Sequence, residues 1–110
     1  MTGSNEAQAL GVGVAQFAPT ASGTVNLESM TELVERAVAR GARLVLFPEY
    51  SSYFVDPFDE SLAANAETLD GPFVTALVAL AERHDVCIVA GMVARADDDL
   101  VVGGGELVEA

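Results

Sequence analysis

Two short runs constrain this chain most: "RLVLF" at 43–47 and "VCIVAGM" at 86–92, both apolar at nearly every consecutive position rather than at alternate ones. A strand wetted on one side alternates. A strand apolar on both faces suits a sheet covered on two sides, as parallel α/β sheets are. "LGVGVAQFAP" (10–19) has the same character and is closed by Pro19. Three buried strands of this kind need long connections if they are to run parallel.

The intervening segments supply them. Asn26 is a plausible N-cap for a helix running to about Arg40. Leu27, Met30, Leu33, Val34, Ala37 and Val38 fall at the three-and-four spacing of one face. Gly41 sits where a left-handed C-terminal residue belongs. "ESLAANAETL" (60–69) reads as a weaker helical segment. "DGPFVTALVALAERH" (70–84) is stronger: Asp70 or Gly71 caps it, Pro72 fits the first turn, and Phe73, Leu77, Leu80 and Ala81 share a face. "RADDDLVVGGGELVEA" (95–110) reads as a turn, a short strand and a glycine-rich turn into another strand. The order strand–helix–strand–helix–strand predicts an α/β fold, mostly parallel with right-handed crossovers, and a closing hairpin that adds mixed pairing. Residues 1–8 read as a disordered leader and residues 9–110 as a single domain.

Charge narrows the function classes. Seventeen acids face five cations, all arginine, for a formal net charge of −12, and there is no lysine. That balance argues against nucleic acid and anionic membranes as partners, since both need basic patches. The uncharged stretch from Ala7 to Leu27 carries Gln, Asn, Pro and several Gly, a poor membrane span. "MTGSNEAQA" lacks the basic start of a secretory signal, and the single cysteine suits a reducing compartment, so a cytoplasmic protein is expected.

Most candidate sites read as structure. "GVGVAQ" (11–16) has Gly11 and Gly13 at dinucleotide spacing, but Gln16 occupies the third glycine position and no strand precedes them. Close backbone approach is the better use of these glycines. His84 closes a helix, where it complements the dipole, and lacks the neighbours a metal would need. Asp97, Asp98 and Asp99 suit a solvated hairpin tip. Cys87, among apolar residues, reads as core packing. No metal or cofactor is expected. Glu49 is different: Pro48 ends the ladder and fixes the backbone just before a carboxylate, and rigid placement is what a general base requires. Tyr50 and Tyr53 are placed to wall a substrate pocket and shield the acid from water.

"GVAQFAP", "ARGARLVLFPE" and "LDGPFVTALVALAERHDVCIVAG" together resemble the nitrilase superfamily of carbon–nitrogen hydrolases, over about residues 10–92. The resemblance implies the N-terminal part of a four-layer α-β-β-α sandwich, commonly homo-oligomeric, acting on a small amide, carbamoyl or nitrile substrate. It also implies a Glu-Lys-Cys triad in which the acid deprotonates the thiol, the thiolate attacks the carbon and the lysine steadies the developing charge. By motif position Glu49 matches the base. Nothing matches the rest: the chain has no lysine, and Cys87 lies mid-strand, before the point where either residue is due. The implied picture is a truncated hydrolase domain that carries only the glutamate and is inactive alone. The alternative is a non-catalytic remnant or interaction partner that binds through an exposed sheet.

Overall fold

The computed structural model describes residues 10–96 and 99–109, with side chains over 10–95. The elements are β1 (Val12–Val14), α1 (Gly23–Ala39), β2 (Leu44–Leu46), α2 (Ser61–Ala64), α3 (Pro72–His84), β3 (Cys87–Ala96) and β4 (Asp99–Glu109). They form one sheet in the order β1-β2-β3-β4. β1, β2 and β3 run parallel, with Val12 opposite Leu44 and Leu44 opposite Cys87, and β4 returns antiparallel to β3. The α/β class, the parallel pairing and the closing hairpin agree with the sequence reading. The leader expected over 1–8 and the hairpin-tip residues Asp97 and Asp98 lie outside the described residues.

α1 begins earlier than expected. Its N-cap is Ser22, whose hydroxyl accepts from the Val25 amide at 3.2 Å. Asn26 is instead fully buried one turn into the helix. Its Oδ1 accepts from the Thr20 amide at 2.8 Å and its Nδ2 donates to the Thr20 carbonyl at 3.0 Å, so it latches the incoming segment rather than capping. The helix ends as the sequence indicates. Gly41, at φ 94°, sends its amide to the Val38 carbonyl while the Ala42 amide reaches Ala37, the paired bonds of a Schellman turn.

α1 and α3 cover one face of the sheet. Met30 and Val34 from α1 pack with Phe73, Leu77 and Leu80 from α3 over Val45, Ile88, Ala90 and Met92. Pro72 opens α3 after Gly71, and the predicted face of Phe73, Leu77, Leu80 and Ala81 is the buried one. Gly11 and Gly13 serve close approach: a Cβ on Gly11 would collide with the Gly41 carbonyl, and one on Gly13 would lie 3.0 Å from the Ala37 side chain.

Two expectations fail locally. "ESLAANAETL" forms only the single turn Ser61–Ala64, its remainder being drawn to β3 by a parallel bridge from Glu67 to Ala94. The glycine-rich stretch is no turn. Gly103, Gly104 and Gly105 run within β4, where the register slips between Met92 opposite Gly104 and Val93 opposite Val102, leaving Gly103 as the extra residue of a bulge.

Among the described residues, no layer covers the second sheet face. Side chains at alternate positions share a face, so Val12, Val14, Leu44, Leu46, Cys87 and Val89 all stand opposite the helices. None of them is fully buried, and Val12 and Val14 are 50% and 72% exposed. Cys87 therefore lies partly buried on this face, outside the helix-covered core in which its apolar flanks placed it.

Candidate active site

Glu49 stands just past the carboxyl end of β2. The turn that carries it is built by main-chain bonds onto β3. The Phe47 amide donates to Val89 at 2.8 Å, the Gly91 amide donates to Pro48 at 3.3 Å, and the Ser51 amide donates to Gly91 at 2.9 Å. Between the last two, Glu49 lies flat against β3. A Cβ at Gly91 would come within 2.8 Å of Glu49 Cα and 3.2 Å of the Tyr50 nitrogen, so the close approach requires glycine there.

Two serines complete the clamp. Ser51, fully buried, donates its hydroxyl to the Pro48 carbonyl at 2.6 Å. The Ser52 hydroxyl accepts from the Val93 amide at 2.9 Å. Tyr50 takes a left-handed conformation, φ 60°, which turns the chain after the acid. Phe47 packs edge-on against Phe17 below, with ring centroids 6.2 Å apart. Gly91, Ser51 and Ser52 were not singled out from the sequence. The glycine inside an otherwise apolar strand was the available signal.

The Glu49 carboxylate is exposed and lines an open groove of about 420 Å³. Val14 at the end of β1, with Ala15 and Gln16 after it, forms one side, and Val89, Ala90 and Gly91 of β3 the other. The ends of β1 and β2 thus meet at the acid beside the middle of β3, in the region where open α/β sheets hold ligands. Among the described residues nothing closes the groove, and they do not give Glu49 the expected shelter from bulk water.

Neither tyrosine lines that groove. Tyr53 is 7% exposed, packs with Leu62 and Val93, and donates its hydroxyl to Ser61 Oγ at 2.8 Å. It ties α2 to the sheet rather than walling a pocket. Tyr50 joins Phe54 and Phe58, with centroids 5.9 and 5.3 Å away, in a cluster beside the turn. The groups are brought together in sequence but point to different places.

Several other charged groups serve the scaffold. Glu67 Oε1 accepts from the Phe73 amide at 2.8 Å, so this carboxylate caps α3 in place of a side chain on Gly71. Arg43 pairs with Asp85 at 3.2 Å at the opposite end of β2 from Glu49. Asp59 lies beside α2, and the Ser61 hydroxyl and amide that it accepts hold its carboxyl below the usual carboxylate range. Among the described residues, no group of three or more His, Cys, Asp or Glu side chains is arranged to hold a metal. No helix there is long and apolar enough to cross a membrane.

The mixed α/β fold, three parallel strands with an antiparallel fourth and helices over one face, is shared with known structures. A CN-hydrolase superfamily protein from Xanthomonas campestris, with an arsenic adduct in its active site, superposes with a TM-score of 0.71 at 20% identity over 87% of this chain. A carbon–nitrogen hydrolase from Helicobacter pylori G27 does so with a TM-score of 0.71 at 20% identity over 91% of it. The sequence matches the carbon-nitrogen hydrolase family over residues 11–108, and the chain belongs to that family. It spans only 38% and 35% of the two neighbouring chains. No curated protein gives a significant match.

Proposed function

We propose that this chain is the base-bearing portion of a carbon–nitrogen hydrolase site, with Glu49 as the general base acting on a small amide, carbamoyl or nitrile substrate. The observation that carries the reading is the Glu49 turn, clamped by Gly91 and Ser51 where β1 and β2 end beside β3. In this role Glu49 takes the proton from a thiol as the sulfur attacks the substrate carbon, and returns it to the leaving nitrogen. The thiol and the cationic donor are not supplied by this chain, which has no lysine and whose only cysteine starts β3, at the end remote from Glu49. The bare face of Val12, Val14, Leu44, Leu46 and Val89 would receive the second sheet of a four-layer sandwich.

The chain alone is then inactive. Losing a single oxyanion donor costs about 10²–10³ in turnover, and without a nucleophile Glu49 can only assist water. A panel of short amides, N-carbamoyl amino acids and nitriles should show no hydrolysis. Turnover present in the native chain and absent in Glu49→Ala would overturn the inactivity. A separately expressed complement carrying the later strands, with Lys and Cys, tests the base itself: restored hydrolysis should vanish with Glu49→Gln, and survival would sink the assignment. The bare sheet face also favours a second reading, a non-catalytic chain that binds a partner through it. Stable capture of the complement without any turnover would support that reading.

A further inference from the structure

The ladder between β1 and β2 stops where proline prevents its next rung. The Ala15 amide donates to the Leu46 carbonyl at 2.8 Å. In a parallel pair the following bond would run from the amide of residue 48 to the Ala15 carbonyl, and Pro48 has no N–H to give. That carbonyl is left at the head of the Glu49 groove, which Ala15, Pro48 and Glu49 all line.

Gln16 comes one residue farther on. Phe17 packs against Phe47 on the helix-covered side. Side chains alternate along an extended chain, so Gln16 falls with Val14 on the opposite face. There it is exposed and lines the same groove as Glu49. Among the described lining residues only Gln16 and Glu49 carry polar side chains; Val14, Leu46 and Val89 make the surface between them apolar. The two polar groups are not equivalent. An ionised carboxylate only accepts, as does the Ala15 carbonyl, whereas a carboxamide donates through its nitrogen and accepts through its oxygen. Gln16 is thus the one side-chain donor on the described walls.

We propose that Gln16 is the specificity-determining residue of this groove and selects a carboxamide or carbamoyl group over a nitrile. The inference deepens the hydrolase reading of Glu49 and rests on it. Gln16 Nε2 donates to the ligand's carbonyl oxygen, while the ligand's N–H groups donate to Gln16 Oε1 and to the Ala15 carbonyl. This pairing leaves the Glu49 carboxylate uncommitted, as a base must be. A nitrile nitrogen can accept one bond and return none, so it leaves two acceptors unmatched. Each bond of this kind is worth roughly threefold to tenfold in affinity.

A chemical-shift titration of the isotope-labelled 110-residue chain with isobutyramide, and separately with isobutyronitrile, tests this. The amide should shift the Gln16 side-chain signals and the Gly91 amide, and should bind at least about threefold tighter than the nitrile. Gln16→Leu changes an exposed side chain, so the fold should persist by circular dichroism while the two ligands come to bind alike. Gln16→Glu keeps the length but removes the donor, and should also abolish the amide's advantage. Glu49→Gln should leave the preference intact. No saturable shift with isobutyramide, equal affinity for the two ligands in the native chain, or a preference that survives Gln16→Leu would each overturn the proposal. A preference lost in Glu49→Gln but kept in Gln16→Leu would overturn it too, by moving the selection to the acid. Failure of the base assignment reads differently: hydrolysis restored by the complement would survive Glu49→Gln, with the ligand preference still dependent on Gln16.

Discussion

Replacing Gly91 by alanine tests whether the Glu49 turn is held by close backbone contact. The added Cβ would sit 2.8 Å from Glu49 Cα, 3.2 Å from the Tyr50 nitrogen and 3.4 Å from the Glu49 carbonyl carbon. Ordinary carbon–carbon contact is about 3.5–4.0 Å, so the shortest approach is deficient by roughly an ångström, and every atom met is main chain. No rotamer can relieve it. The turn must lift, which strains the Gly91-to-Pro48 and Ser51-to-Gly91 bonds. Overpacking of this kind costs about 1–3 kcal/mol, and each main-chain bond weakened adds about 0.5–1.5 kcal/mol. A total near 3 kcal/mol is a large part of a net stability of about 5–15 kcal/mol. At about 4–8 °C per kcal/mol for a domain of this size, Tm should fall by roughly 10–25 °C. Gly23→Ala is the control: its Cβ meets only the Ser52 carbonyl, at 3.7 Å, within a helix that favours alanine. Thermal melts followed by circular dichroism decide the matter. A Gly91→Ala melt within a degree or two of the native chain would refute the reasoning.

Three further outcomes follow from named contacts. Ser22→Ala should cost about 1 kcal/mol as a lost cap, whereas Asn26→Ala should cost more, since it removes the fully buried side chain that accepts from the Thr20 amide and hydroxyl and donates to the Thr20 carbonyl; urea midpoints that rank them the other way would contradict the latch. The Asp59 carboxyl is lowered in the folded chain, so its contribution to α2 is present above the ordinary carboxylate value and lost as pH falls through the lowered one; amide exchange at Ser61 should accelerate only at the acid end of a titration, and acceleration near neutrality would exclude Asp59 as the cause. Cys87, partly exposed on the face opposite the helices, should label slowly with a thiol reagent in the folded chain and be protected once a partner covers that face; labelling confined to denatured protein would show the face already covered.

The strands and the two long helices were legible because their signals are local. Apolar runs and the three-and-four spacing on α1 and α3 survive any tertiary context that keeps the sheet covered. What escaped depended on distant neighbours. Ser22 and Asn26 are both good capping residues one turn apart, and only the fold of Thr20 over the helix decides that the second is buried. The position of Glu49 at a strand end was readable from Pro48, but its anchor, Gly91, belongs to another strand. Tyr53 and Tyr50 look alike in sequence, yet a left-handed residue at 50 sends them to different surroundings. Cys87 was misread for a related reason: apolarity on both faces of a strand implies two covering layers, and the described residues provide only one.

The clamp beneath Glu49 also has an evolutionary consequence. Its bonds run from main chain to main chain or through Ser51 and Ser52, and the glutamate side chain takes no part in them. Stability and chemistry are therefore uncoupled at this position. In the proposed role, a lineage could exchange the acid for a neutral residue, lose its base and keep the same fold, with no penalty in folding to expose the change. The reverse holds as well: any chain that retains this turn stays one substitution away from presenting a carboxylate to whatever nucleophile is brought to the strand ends.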